Sequence, residues 1–302
     1  MTNVAAIDLG SRACRLVIAN NKGEYLLSET KSIELAKDMV CEMKITVDAF
    51  NRAKSYLDEC ANKMAEFGVK KYRAVTTAAV RQAKNGQEFV DVIKEKTGLT
   101  FEIIDEVEEA RLNLVGAMAH VAGKSKYVCV FDIGGGSTEV TIATNEENPK
   151  IIQSTSIPYG ARNATEKFDL GEYNEENANK FRCEISEYIK DFKLPADCLT
   201  LATSGTSLRL VAKVYNHDKY SREDSDGLIL TSLQINDAVS DIYKMNREER
   251  AKTSYISEAR SYIFIPACIL MQTIVNELKI NKLTASLLSA KDAIIRELVE
   301  ND

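Results

Sequence analysis

The sequence has only two histidines and no pair of cysteines at the spacing of a metal site. Among its 302 residues the histidines are His120 and His217, and seven cysteines are scattered without a C-x-x-C pair. These numbers argue against histidine-based metal clusters, Ser-His-Asp catalysis, a zinc site and a disulfide framework. The dipeptide His217-Asp218 lacks the partners that a metal site needs. We therefore expect reduced, mostly buried thiols.

The chain also lacks long apolar segments and an excess of positive charge. No segment approaches the length that spans a bilayer, and the first residues, Met-Thr-Asn, lack the basic and apolar regions of a signal peptide. The net charge of −6 argues against nonspecific binding to nucleic acid or to an anionic membrane. We therefore expect a cytoplasmic globular protein with neither nucleic-acid nor membrane partners.

Two short segments share a pattern that is typical of phosphate-binding turns. Residues 4–11 and 128–137 each contain an apolar run that ends in Asp, followed by glycine and a hydroxyl residue. A second apolar run follows each, so both predict strand, turn, strand. Glycine allows positive φ and close backbone approach, so N–H groups can converge on an anion while the Asp faces a metal ion. The two copies align without a gap, which predicts a duplicated domain.

Predicted strands and helices alternate along the first half and recur in the second. Apolar spacing predicts strands at 4–9, 13–19, 24–30, 73–76 and 101–104, and helices at 47–67, from about 78, and at 106–119. Residues 122–126 are the most linker-like stretch, and the tail contains helices at 266–278 and 289–299. We predict two related α/β domains, 1–122 and 123–302, with mixed sheets flanked by helices. The ligand is expected in the cleft between them, and the helix at about 288–302 is expected to pack back on the first domain.

Three segments carry the candidate chemistry. Residues 132–139, Asp-Ile-Gly-Gly-Gly-Ser-Thr-Glu, suit a backbone that wraps a phosphate chain, although a mobile hairpin tip is the alternative. Residues 108–111, Glu-Glu-Ala-Arg, lie early in a helix, where helix-dipole effects or Glu108–Arg111 pairing are the ordinary explanation. Residues 76–82 join a strand to a helix, and free N–H groups with Arg81 can hold an anion there unless the helix is simply capped.

In combination these motifs resemble a known family. The matching segments are Ile-Asp-Leu-Gly-Ser at 7–11, Thr-Ala-Ala-Val-Arg-Gln-Ala at 77–83, Glu-Glu-Ala-Arg-Leu at 108–112, Asp-Ile-Gly-Gly-Gly-Ser-Thr-Glu at 132–139 and Ser-Gly-Thr at 204–206. Their order and spacing resemble the Ppx/GppA family of exopolyphosphatases and guanosine pentaphosphate phosphohydrolases. The resemblance covers essentially the whole chain. It implies the actin-like, ribonuclease H-like fold that sugar kinases and the actin/Hsp70 ATPases share.

The resemblance also implies a role for each motif. Glu109 would orient or deprotonate the attacking water, and Arg81 would neutralise the developing charge. Mg²⁺, or Mn²⁺ in its place, would be held directly or through water by Asp132, Glu139 and Asp8. The residues that would cradle phosphates are Gly10, Ser11, Arg12, Gly134, Gly135, Gly136, Ser137, Ser204, Gly205 and Thr206. These are the parts that phosphoryl transfer requires.

The sequence departs from the family pattern at three places. Arg12-Ala13 stands where the family has Asn-Ser, and Asp105-Glu106 replaces Ser-Gly. Residues 286–293 lack an Asp and two glycines of the family pattern. The sequence also ends without the helical HD-type domains of long members, and such short forms are expected to lack an extended channel for processive work on long polyphosphate.

The predicted function is Mg²⁺-dependent release of orthophosphate from the end of polyphosphate or from guanosine pentaphosphate. Polyphosphate is preferred because the sequence shows no aromatic or base-reading cluster for a nucleoside. One alternative is an actin-like kinase or ATPase, which needs an acceptor-binding Asp and an adenosine pocket. Another is a degenerate member that binds polyphosphate or the alarmone without hydrolysis, against which the retained Glu109, Asp132 and Glu139 argue. A homodimer is expected, while chain-length preference stays open.

Overall fold

The computed structural model of the protein describes residues 2–37, 39, 43–121 and 123–300 and divides into two compact units. The first unit contains Met1–Gly116 and Ser289–Asp302, and the second contains Ala117–Leu288. The boundary drawn from the sequence, between residues 122 and 123, lies a few residues beyond this division. Each unit has its own mixed sheet flanked by helices, as predicted.

The first unit is built on a five-stranded sheet in the order β3-β2-β1-β4-β5. Its strands are β1 (Asn3–Leu9), β2 (Ala13–Ala19), β3 (Tyr25–Ser32), β4 (Val69–Thr76) and β5 (Phe101–Ile103). The first three strands are antiparallel neighbours, whereas β1, β4 and β5 run parallel. The carboxyl ends of these three parallel strands therefore lie along one edge of the sheet.

The first helices of the chain are α1 (Val47–Glu66), α2 (Ala78–Gln82), α3 (Gly86–Thr97) and α4 (Glu106–Ala117). Helices α1 and α3 cover one face of the sheet, whereas Leu112 of α4 is buried in a separate cluster with Val4 of β1. Thr46 caps α1 by accepting a hydrogen bond from the Ala49 N–H, 3.2 Å away. Leu57 of α1 and Ile93 of α3 are buried in one cluster with Ile7 of β1. This cluster is the main core of the first unit.

The second unit is built on a six-stranded sheet in the order β10-β11-β9-β6-β7-β8. Its strands are β6 (Tyr127–Ile133), β7 (Thr138–Thr144), β8 (Ile151–Ile157), β9 (Cys198–Ala202), β10 (Ile229–Thr231) and β11 (Lys282–Ala285). Its helices are α5 (Ala161–Phe168), α6 (Glu175–Ile189), α7 (Gly205–Val214), α8 (Ser232–Tyr243), α9 (Arg247–Lys252), α10 (Glu258–Ser261) and α11 (Phe264–Glu277). Helix α11 is apolar on nearly every side and lies in the unit's single large hydrophobic core.

The last helix, α12 (Ala290–Glu300), belongs to the first unit. Ala293 and Ile294 are buried with Val4 and Ala6 of β1, so α12 packs against these strand residues. Those residues alternate with the ones that face α1, and both faces of the sheet are therefore covered. The chain enters α12 close to α4, where a Cβ on Gly116 would lie 2.0 Å from the Ser289 carbonyl oxygen.

Two predicted helices differ from the structure at their ends. The helix expected from residue 78 stops at Gln82, and α3 begins at Gly86, where a Cβ would lie 2.0 Å from the Val80 carbonyl oxygen. The helix expected at 106–119 ends at Ala117 and continues as a 3₁₀ turn, Met118–His120. After α2 the backbone of Gly86 lies close to Val80. After α4 the hydrogen-bond pattern tightens into the 3₁₀ turn.

Two composition-based expectations concern thiols and membranes. Six cysteines lie among the described residues as free thiols, four of them buried, and Cys41 lies outside the described residues. Burial raises the pKa of the Cys129 and Cys268 thiols, which keeps them protonated. Within the described part of the chain, every helix is too short or too polar to cross a bilayer.

Candidate active site

The two predicted phosphate turns join equivalent hairpins, one in each unit. In the first unit β1 and β2 pair so that Asp8 lies opposite Arg15, and the Arg15 Nη1 lies 2.5 Å from Asp8 Oδ2. In the second unit β6 and β7 pair so that Asp132 lies opposite Glu139. An arginine in one copy thus occupies the position of a glutamate in the other.

The first turn is fixed by its own backbone and by the loop after β3. The Gly10 N–H donates to the Ala13 carbonyl at 3.0 Å, and the Ser11 carbonyl accepts from the Ala36 N–H at 2.9 Å. The Arg12 carbonyl accepts from two further N–H groups of the same loop, at 2.8 and 2.7 Å. Gly10 does not adopt positive φ, so the expected conformational reason for glycine does not hold here. The turn is ordered, and Ser11 is buried.

The second turn is fixed by the amino terminus of α5. The carbonyls of Gly134 and Gly135 accept hydrogen bonds from the Ala161 and Arg162 N–H groups, at 2.9 and 2.8 Å. The turn approaches Gly160 so closely that a Cβ there would lie 2.5 to 2.6 Å from backbone atoms of the three glycines. Close packing against the turn therefore explains the glycine at position 160, and at Gly134, which does not adopt positive φ, a Cβ would lie 2.9 Å from the Ser137 carbonyl oxygen.

The direction of these carbonyls also fixes the direction of the amides. Asn163 Nδ2 donates to the Gly136 carbonyl at 2.8 Å, so all three glycine carbonyls are turned toward α5. The chain has no cis peptide bond in its described part, and in a trans peptide the N–H points opposite to the preceding carbonyl. The N–H groups of Gly135, Gly136 and Ser137 therefore point away from α5. Three successive amides in this orientation suit an anionic oxygen.

Asp132 and Glu139 form an acidic pair beside this turn. Directly opposed residues of an antiparallel pair lie on the same face, with Cβ atoms about 4.5–5.5 Å apart. Glu139 is 3% exposed and accepts a hydrogen bond from the Ser156 hydroxyl at 3.0 Å. Two opposed carboxylates repel each other unless a cation lies near, and carboxylate oxygens are the ligands that Mg²⁺ prefers.

The composition of this site suits Mg²⁺ better than a metal that needs a full protein cage. Among the described residues no three His, Cys, Asp or Glu side chains are grouped so that they can hold a metal. Mg²⁺ is usually held by one or two carboxylates, water and substrate phosphates, and the Asp132–Glu139 pair supplies that number. Asp8 differs because Arg15 already neutralises it.

Glu109 and Arg81 are brought together in the first unit. Arg81 Nη1 donates to Glu109 Oε2 at 3.0 Å and to the Ile104 carbonyl at 2.9 Å, and its Nε lies 2.7 Å from Glu106 Oε1. Glu109 is 8% exposed. Arg81 is thus held at the amino-terminal end of α4 by two carboxylates and a carbonyl.

The neighbouring Glu108 belongs to a separate ion-pair network. Its carboxylate accepts from Arg111 Nε at 2.6 Å and from Arg73 Nη2 at 2.9 Å, and both arginines also contact Glu297 of α12. The Arg111 hydrogen bond, reinforced by Arg73, lowers the pKa of Glu108. The ordinary explanation for Glu108 and Arg111, pairing on a helix, therefore holds, and it leaves Glu109 as the functional candidate.

The Ser204-Gly205-Thr206 segment begins α7. Ser204 caps the helix, and its side chain accepts from the Ser207 N–H at 3.3 Å. The guanidinium of Arg260 lies against Gly205, where a Cβ would be 2.8 Å from its Nη2. A cation thus accompanies a helix amino terminus at this segment, an arrangement that attracts anions.

Sequence reasoning missed Gly160, Asn163 and Arg260. Gly160 and Asn163 follow β8 in the stretch Tyr-Gly-Ala-Arg-Asn, a strand-to-helix junction whose glycine was the available signal. Arg260 lies far along the chain from Gly205, and no sequence pattern joins them. The other predicted residues lie at or after the carboxyl ends of parallel strands, β1, β4 and β5 in the first unit and β6 and β9 in the second, except Glu139, which lies in the antiparallel strand β7.

Comparisons with known proteins give the family and the fold. The model of the Ppx/GppA phosphatase family matches residues 16–302. A bifunctional 3-dehydroquinate synthase/phosphatase of Fusobacterium nucleatum is 27% identical over 268 residues, which are 81% of this chain and 39% of that protein. The chain therefore spans about two fifths of that relative's length.

Solved structures confirm the fold over the full length. A Ppx/GppA family member of Aquifex aeolicus is 26% identical, with a TM-score of 0.82 over 100% of this chain and 99% of that one. An exopolyphosphatase of Cytophaga hutchinsonii, 22% identical, has a TM-score of 0.89 over 99% and 98% of the two chains. The predicted architecture, two related actin-like α/β domains with mixed sheets flanked by helices, is thereby confirmed.

Proposed function

Because this chain belongs to the Ppx/GppA phosphatase family, we propose that it is a phosphohydrolase that releases orthophosphate from the end of a phosphate chain. The substrate we propose is inorganic polyphosphate, with the 5′-triphosphate of guanosine pentaphosphate as the second candidate. The Cytophaga relative of the same fold is an exopolyphosphatase, and the Fusobacterium relative includes a phosphatase.

One observation supports the proposal above the others. In the second unit, an acidic pair lies directly beside three amides that point away from the helix holding their turn. A metal bound by Asp132 and Glu139 and phosphate oxygens bound by these amides are complementary, since Mg²⁺ in phosphoryl-transfer enzymes is usually shared between carboxylates and phosphates.

The proposed metal is Mg²⁺, with Mn²⁺ as a substitute. Asp132 and Glu139 of the second unit would hold it. Asp8 of the first unit, whose carboxylate is paired with Arg15, is a further candidate for metal binding through water. The metal's part in the chemistry is to neutralise charge on phosphate oxygens. Gly10, Ser11 and Arg12 of the first unit would bind phosphate.

Glu109 is proposed as the general base. It is a nearly buried carboxylate at the start of a helix, and the Arg81 guanidinium that holds one of its oxygens fixes its orientation. A fixed carboxylate can accept the proton of a water molecule as that water attacks phosphorus. Arg81 would also stabilise the negative charge of the transition state.

In the second unit the Ser204–Thr206 segment is proposed to bind a further phosphate. Ser204 and Thr206 are buried at the start of α7, and the Arg260 guanidinium lies against Gly205. Bidentate arginine contacts and helix amino termini both suit phosphate oxygens. We further propose that the active protein is a homodimer.

The test is a side-by-side measurement of orthophosphate release. Short polyphosphate, long polyphosphate, guanosine pentaphosphate and ATP are each incubated with the protein, with and without Mg²⁺, and with Asp132→Asn as the matched control. We expect Mg²⁺-dependent release from polyphosphate, and less release by the control at the same Mg²⁺ concentration. Release from ATP alone would favour the actin-like ATPase, and binding without release from any substrate would favour a degenerate binding protein.

A further inference from the structure

Arg250 is a completely buried cation that no motif of the sequence explains. It lies in α9, is 0% exposed, and its guanidinium makes four hydrogen bonds. Nε donates to the Ser261 carbonyl at 3.0 Å, Nη1 to the Met245 carbonyl at 2.6 Å and to Glu172 Oε2 at 2.9 Å, and Nη2 to the Gly171 carbonyl at 2.5 Å. A buried charge is tolerated only with such a full set of partners.

These bonds join two segments that are distant in sequence. Gly171 and Glu172 belong to the loop between α5 and α6, and Ser261 is the last residue of α10. The two segments also pack directly, because a Cβ on Gly171 would lie 2.7 Å from the Tyr262 ring. Arg250 therefore fixes the end of α10 against this loop.

Helix α10 needs such support. It has only four residues, too few for a helix to be stable by itself. Its third residue is Arg260, which precedes Ser261 and whose guanidinium lies against Gly205 at the start of α7. The carbonyl that Arg250 holds is thus one residue away from the cation that accompanies the proposed phosphate segment.

We propose that Arg250 is a positioning residue for substrate phosphate. Its bonds hold α10 so that the Arg260 guanidinium stays against the amino terminus of α7. This inference rests on the proposed function, since it assigns the Ser204–Thr206 segment to the substrate. Arg250 has no exposed surface and acts through Arg260.

The first test is the conservative variant Arg250→Lys. Lysine keeps the charge but replaces the planar fork with a single ammonium, which cannot reach all four acceptors. We expect KM for inorganic tripolyphosphate to rise by about tenfold, with kcat within about twofold, since a displaced binding group weakens the substrate complex. Lys252→Gln is the matched control, because Lys252 is in the same helix, is exposed and pairs with exposed Glu248. Its KM should equal that of the wild type.

A second, milder variant tests the same role with less effect on folding. Glu172→Gln removes the carboxylate partner at an exposed side chain and leaves the three carbonyl acceptors in place. We expect KM to rise in the same direction and by a smaller factor than in Arg250→Lys. An unchanged KM in both variants, each with a wild-type circular dichroism spectrum, would overturn the proposal.

A double-mutant cycle decides whether Arg250 acts through Arg260. If it does, the double variant Arg250→Lys/Arg260→Ala should have the KM of Arg260→Ala alone. Multiplied effects of the two changes would contradict the proposal. Calorimetric binding of tripolyphosphate gives a readout without turnover. Binding by the wild type without hydrolysis would contradict the proposed phosphohydrolase, and weaker binding by Arg250→Lys would still support the positioning role.

Discussion

The adjacent residues Glu108 and Glu109 offer the sharpest test of the proposed chemistry. They share one turn of α4 and differ in their partners, since Glu108 binds Arg111 and Arg73 whereas Glu109 binds Arg81. We expect Glu109→Gln to lose turnover and keep stability, and Glu108→Gln to keep turnover and lose stability. Each variant is the control for the other.

The magnitudes follow from these partners. The amide of Glu109→Gln can still accept from Arg81 but cannot accept a proton from water. Loss of a general base costs about 10²–10⁴-fold in rate, which corresponds to roughly 3–5 kcal/mol of transition-state stabilisation. Glu108→Gln weakens charged hydrogen bonds at a side chain that is 26% exposed, so solvent screening reduces the loss. We expect the free energy of unfolding to fall by about 1 kcal/mol.

The assays are orthophosphate release at saturating polyphosphate and urea denaturation at several pH values. The lowered pKa of Glu108 means that its ion pairs contribute fully above the ordinary glutamate pKa and are lost as the pH falls through the lowered value. The stability difference between wild type and Glu108→Gln should therefore vanish in acid. Turnover of Glu109→Gln within threefold of wild type would refute the assignment of the base.

The remaining predictions concern metal, turn and substrate affinity. Asp132→Ala and Glu139→Ala should both raise the Mg²⁺ concentration that gives half-maximal activity. Asp8→Asn should raise this concentration less, because Arg15 already neutralises Asp8. Equal shifts of the three variants in a Mg²⁺ titration would contradict this order. Gly160→Ala should lower activity strongly, since its Cβ would lie 2.5 Å from the glycine turn; wild-type kinetics would show that the turn is tolerant. Arg12→Ala should weaken substrate affinity by about 1–3 kcal/mol, with partial recovery in Arg12→Asn; an unchanged KM in both would contradict phosphate binding by Arg12.

The sequence was sufficient for the hairpins that carry the phosphate turns. An apolar strand, an Asp, glycine and a second strand specify a local structure, and the register that places Asp132 opposite Glu139 follows from a short turn. The family resemblance then led to the fold, because it draws on several such motifs in order. The division of roles between Glu108 and Glu109 was not decided by spacing, since both lie in the first turn of α4.

Contacts between segments that are distant along the chain could not be predicted from the sequence. Gly160 matters because backbone atoms of three glycines of another turn lie against it, and Arg260 matters because its guanidinium reaches Gly205. Neither contact can be predicted from periodicity along the sequence, because the residues that meet belong to separate segments of the chain.

Asp8 and Asp132 looked equivalent in the sequence because the residue opposite each one is known only from the strand pairing. Aligned copies of one motif suggest one role, yet the residue opposite each Asp is an Arg in the first hairpin and a Glu in the second. The cross-strand position is therefore where the two hairpins differ, and exchanging it tests that difference. Arg15→Glu should destabilise the first hairpin, because it removes the partner of Asp8 and opposes two carboxylates. Mg²⁺ should restore part of that stability if such a pair binds the ion, which a thermal melt with and without Mg²⁺ would reveal.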